Sequence, residues 1–97
     1  MKSTSEYLAL LKQFKDSKAM QYGIRKIGLF GSVARGEHKN GSNVDVVYEG
    51  EPNILLRSRM KRELESLLGY NVDLIRFRKQ LENILFGESI HEDLILV

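Results

Sequence analysis

The chain has 97 residues, 42% of them hydrophobic and 29% charged, with a net charge of +2 and no cysteine. A chain this long buries about 60–70% of its unfolded surface, enough for one core and not two, and its ordinary apolar content with a single proline argues against disorder. The lack of cysteine excludes a disulfide scaffold, a thiolate zinc site and a thiol nucleophile together.

No run approaches the roughly 18 apolar residues of a membrane span, and the start, Met1-Lys2-Ser3-Thr4, has no signal-peptide core. These features fit a cytoplasmic protein. With 15 basic and 13 acidic residues nearly in balance, charge gives little support to a nucleic-acid partner. No repeat or linker interrupts the chain, which reads as one domain over residues 1–97.

The first element reads as an amphipathic helix from Ser3 to about Met20. Ser3 and Glu6 have capping-box spacing, Tyr7, Leu10, Leu11 and Phe14 form one stripe, and Gly23 offers a stop. Ile24–Phe30 is a strand that runs straight into Gly31-Ser32. Val33-Ala34-Arg35 has room for only a helical turn before Gly36, and residues 36–42 are turn chemistry throughout. Val44–Tyr48 reads as a second strand. Asn53 can cap a helix from Ile54 to Leu68, with Leu56, Met60, Leu64, Leu67 and Leu68 inward and Gly69 at its end. Tyr70–Phe77 reads as a third strand, Lys79–Ser89 as a last helix, and Leu94–Val97 as an apolar tail able to form a short closing strand. The order α-β-α-β-α-β-α predicts an α/β fold, a small mixed sheet flanked by helices.

Two acidic residues stand where apolar ones belong: Asp45 within Asn43-Val44-Asp45-Val46-Val47, and Asp73 within Val72-Asp73-Leu74-Ile75. A lone case reads more readily as a strand-end cap or an ion pair. Two cases on separate strands of one small sheet point to a site. Side chains alternate across a strand, so Asn43 and Asp45 share a face, about 6–7 Å apart along the chain. If the Asp73 strand lies alongside, three oxygen-bearing groups converge. Hard oxygen donors of this kind suit magnesium together with substrate phosphates.

Gly31-Ser32 sits between a strand and a helical turn, where free N–H groups and a hydroxyl favour a phosphate, with Arg35 one turn on. By itself this turn reads equally as a purely structural one. Other phosphate motifs fail: Glu37-His38 stand where a P-loop needs Lys-Ser/Thr, and no Gly-x-Gly-x-x-Gly occurs.

Gly31-Ser32, ten intervening residues, then Asn43-Val44-Asp45 resembles the Gly-Ser-x10-Asp-x-Asp signature of the DNA polymerase β-type nucleotidyltransferases. The longer string Leu29–Gly36 with Ser42–Val46 is similar to the minimal nucleotidyltransferase branch, MNT. The resemblance implies a polymerase β-like fold in which Gly31 and Ser32 hold a triphosphate and Arg35 supports the loop or the phosphates. It implies that Asn43 and Asp45 hold magnesium, and that Asp73, the third acidic position, helps activate an attacking hydroxyl. The reaction implied is transfer of a nucleoside monophosphate, AMP from ATP, to a hydroxyl of a partner protein. The resemblance also implies a helical HEPN-domain partner, because members of this branch are commonly paired with such a toxin and act as its antitoxin.

One position departs from the signature. Asn43 replaces an aspartate, losing a charge and a carboxylate oxygen, which implies looser magnesium binding and slower transfer. The alternative reading is therefore a binding module that neutralises a HEPN-type partner by occlusion alone.

The remaining candidates have ordinary readings. His38 and His91 read as surface histidines, with His38 the nearer to a nucleotide. Arg57, Arg59, Lys61 and Arg62 read as a solvated face balanced by Glu63 and Glu65. Arg76-Phe77-Arg78-Lys79 reads as a strand-to-helix junction whose cations could also reach phosphates.

Overall fold

The computed structural model describes residues 1–77 and 94–97. Helix α1 spans Thr4–Tyr22 and starts with the expected capping box: the Ser3 hydroxyl accepts from the Glu6 N–H, and the Glu6 carboxylate accepts from the Ser3 N–H, both at 3.2 Å. It ends at Gly23 in the left-handed conformation, and strand β1, Ile24–Phe30, begins at the next residue. A single turn of helix, α2 (Gly31–Arg35), leads through a loop to β2 (Val44–Gly50), two residues longer than the expected strand. Asn53 caps α3 (Ile54–Leu68) by accepting from the Leu56 N–H at 3.1 Å. Strand β3 (Val72–Arg76) and the short β4 (Ile95–Leu96) complete the described elements.

The four strands lie in the order β3-β2-β1-β4. β1 is antiparallel to both β2 and β4, whereas β2 and β3 are parallel because α3 crosses over between them. The sheet is therefore mixed, as expected. The apolar tail does form the closing strand, and Lys15 Nζ donates to the Val97 carbonyl at 2.8 Å. The expected helix over 79–89 lies outside the described residues, as do Arg78, Lys79 and His91.

Strand alternation divides the sheet into two faces. Ile27, Leu29, Val44, Val46, Tyr48, Val72 and Leu74 turn toward the helices, where they form one buried core with Tyr7, Leu11, Phe14, Met60, Leu64 and Leu68. Leu10, Leu56 and Leu67 only pack partly against that core, so the apolar stripes are narrower than their sequence pattern. Tyr22 joins it: its ring stacks on Phe14 with centroids 6.0 Å apart, and its hydroxyl donates to Glu63 at 2.5 Å. Burial and that carboxylate push the Tyr22 phenol up to about 12. Asp45 and Asp73 lie between core residues and so face the opposite side.

Among the described residues no helix is long and apolar enough to cross a membrane. Leu64 is fully buried in α3 against the sheet. Leu64→Ala should cost about 3 kcal/mol through lost burial and the cavity left behind, seen as a lower urea midpoint with an unchanged slope.

Candidate active site

β1 passes into α2 with no loop, which fixes Gly31 directly above the strand. Gly31 has φ 72°, and a Cβ there would collide with Asp45 Oδ2. Only glycine meets both demands, a left-handed backbone and a carboxylate lying against its α-carbon. The sheet register explains the contact, because Phe30 on β1 pairs with Asp45 on β2. Phe30 is also the N-cap of α2 and gives no side-chain cap bond, so the first N–H groups of the turn keep their donor capacity. Ser32 is half-buried, and its hydroxyl makes no hydrogen bond among the described residues.

The parallel pairing of β2 and β3 sets Asp45 directly opposite Asp73, on strands about 4.8 Å apart. Asp45 is half-buried and Asp73 exposed. Burial first, then the charge of Asp73 and a hydrogen bond with it, push the Asp45 carboxyl up to about 6; the Arg35 guanidinium works in the opposite direction. Arg35 also pairs with Glu37 at 3.0 Å, on the exposed side of the turn.

Asn43 stands just before β2, two residues from Asp45, and its Nδ2 donates to Asp73 Oδ2 at 3.1 Å. Gly31, Asn43, Asp45 and Asp73 are thus brought together, with Ser32 and Arg35 on the adjoining turn. The donors are two carboxylates and an amide oxygen. Among the described residues there is no cluster of three or more His, Cys, Asp or Glu side chains. Two carboxylates set side by side, one of them raised by burial first and then by its neighbour's charge, form a donor set that a hard divalent cation fits.

Other candidates are placed differently from their sequence readings. His38 is half-buried rather than a surface residue: Nε2 contacts the Lys2 carbonyl at 2.8 Å, and its ring meets Tyr7 edge-on with centroids 6.1 Å apart. Glu63 and Glu65, expected to balance the cations of α3, also make contacts beyond the helix. Glu63 accepts from Tyr22, and Glu65 accepts from the Val72 N–H at 3.1 Å. Arg76 is half-buried and reaches the Gly50 carbonyl at 3.5 Å. Tyr70, expected in the third strand, precedes it; its hydroxyl accepts from the Gly41 N–H and tethers the α2–β2 loop. That contact joins residues 29 apart, and no local pattern signals it.

The raised Asp45 carboxyl predicts a pH dependence in metal-free protein. Its proton is held more tightly folded than unfolded, so its stabilising contribution is complete below about pH 4 and is lost as pH rises through about 6. Asp45→Asn should therefore stabilise metal-free protein at pH 8 by about 1 kcal/mol, after allowance for solvent screening, with no comparable gain at pH 4. Urea denaturation at the two pH values measures this, and equal effects at both would contradict it.

The model of the nucleotidyltransferase domain family matches residues 10–97. A Methanocaldococcus jannaschii protein, provisionally named a protein adenylyltransferase, is 37% identical over the full length of both chains. The protein adenylyltransferase MntA of Thermococcus cleftensis is 38% identical over 77% of this chain and 78% of its own. Among solved structures, one described as a minimal nucleotidyltransferase superposes with a TM-score of 0.72 at 28% identity, covering 97% of this chain and 95% of that one. A complex of a tri-AMPylated Shewanella oneidensis HEPN toxin with an MNT antitoxin matches at a TM-score of 0.54 and 18% identity, over 88% of this chain and 70% of that one, a likeness of fold.

Proposed function

The chain belongs to the nucleotidyltransferase domain family, and from that premise we propose that it is a magnesium-dependent protein adenylyltransferase acting as an MNT-type antitoxin. In this reading it transfers AMP from ATP to a hydroxyl of a helical HEPN-type partner. The observation that carries the reading is the Asp45–Asp73 register pair set against the Gly31 turn. The relatives' names support adenylyl transfer, and the AMPylated toxin in the complex of like fold supports the class of partner.

Each residue has a physical task in this reading. The Gly31 and Ser32 N–H groups and the Ser32 hydroxyl receive phosphate oxygens, and Arg35 adds positive charge beside them. Asp45 and Asp73, with the Asn43 amide oxygen, would hold magnesium, which when bound neutralises charge on the phosphates. Asp73, the more exposed carboxylate, accepts the proton of the attacking hydroxyl. That oxygen bonds to the α-phosphorus as the bond to pyrophosphate breaks in line.

A second reading is favoured by one contact. Asn43 supplies no charge, and its Nδ2 occupies an acceptor position on Asp73. A protein weakened in this way could neutralise its partner by occlusion alone.

Transfer of label from α-labelled ATP to a HEPN-type partner separates the two. Asp45→Ala and Ser32→Ala should each lower transfer by on the order of a hundredfold or more, with circular dichroism unchanged. Full transfer by Asp45→Ala would overturn the catalytic reading. Tight partner binding with no transfer by the unaltered chain would establish occlusion.

A further inference from the structure

The start of α1 reaches across the molecule to the turn that carries Ser32. Ser3 and Glu6 complete the cap of α1 between themselves, which leaves the hydroxyl of Thr4, the first residue of the helix, available for another element. It donates to the Val33 carbonyl in α2 at 2.6 Å, in a part-buried contact between residues 29 apart. The same carbonyl accepts the Gly36 N–H that closes α2, at 3.1 Å.

Five residues form a single turn, too short to hold its own shape or direction. The placement of α2 therefore depends on what touches it. Asp45 lies against Gly31 at one end, and Thr4 holds the Val33 carbonyl at the other. The same stretch of chain also steadies the loop that follows, through the contact of the Lys2 carbonyl with His38.

We propose that Thr4 is a positioning residue for the triphosphate-binding turn. Its hydroxyl sets the orientation of α2, and through it the aim of the Gly31 and Ser32 N–H groups and the Ser32 hydroxyl. The inference rests on the reading that gives those groups the phosphates of ATP. Thr4 meets neither nucleotide nor acceptor, so its loss acts on nucleotide binding and spares the chemical step.

Thr4→Val removes the donor at nearly constant volume, and Thr4→Ser keeps it. In Thr4→Val the KM for ATP, and the dissociation constant of a fluorescent ATP analogue, should rise about three- to tenfold, the loss of one hydrogen bond. The kcat should stay within about twofold, and Thr4→Ser should restore the KM. Amide hydrogen exchange at Gly36 and Glu37 should quicken in Thr4→Val while exchange in α3 stays unchanged.

Unaltered nucleotide affinity with unaltered exchange at Gly36 would overturn the proposal. So would a general rise in exchange through α1 and α3, which marks a merely structural role. If the unaltered chain binds no nucleotide, the proposed function falls, and exchange at Gly36 and Glu37 still decides whether Thr4 holds α2. Should Thr4→Val fail to fold, Thr4→Ala serves for the same comparison.

Discussion

The structure is organised around the position of one carboxylate. Asp45 is half-buried, lies opposite Asp73 on the neighbouring strand, and rests against the α-carbon of Gly31. Asp45 is on β2, Asp73 on β3, and Gly31 directly follows β1, so the two registers that join these strands must both be correct at once. A slip of one residue in β2 or β3 would turn a carboxylate into the core and a valine or leucine out to solvent. The apolar residues on the other face prevent that slip: Val44, Val46, Val72 and Leu74 are at most 5% exposed beneath α1 and α3. Packing on one side of the sheet thus holds like charges together on the other.

Much of this was legible in the sequence, because it depends on local chemistry. The Ser3–Glu6 box, the Asn53 cap and the glycines that end each helix act within a few residues, and the elements begin and end close to where those signals stand. The acidic positions were conspicuous because a carboxylate among valines needs a reason. What escaped the sequence is long-range. His38 is held by Lys2 and Tyr7, Glu65 caps the free N–H at the start of β3, and Tyr70 spends its hydroxyl on Gly41 rather than joining the strand. Such contacts link residues that only the finished fold brings together. The spacing of Asn43 and Asp45 gave a shared face, but that Asp73 stands directly opposite Asp45 follows from the parallel crossover through α3.

Asn43 gives the site its particular character. With an aspartate there, three negative charges would crowd one strand end, and the free protein would carry that repulsion. The amide instead donates to Asp73 and relieves part of it. The amide carries no charge of its own, and the contact engages one oxygen of Asp73. In the proposed function, the same arrangement would hold a metal and a nucleotide with one negative charge fewer than an aspartate at position 43 would give.

In the proposed function, Asn43, Asp45 and Asp73, together with the Gly31 turn, form a joint site for a divalent cation and a nucleoside triphosphate. Calorimetric titration of ATP, with and without magnesium, into this chain and its Asn43→Asp variant tests it without knowledge of the acceptor. The account predicts that magnesium tightens ATP binding to this chain and that the restored carboxylate tightens it further. ATP binding indifferent to magnesium in both proteins would contradict it.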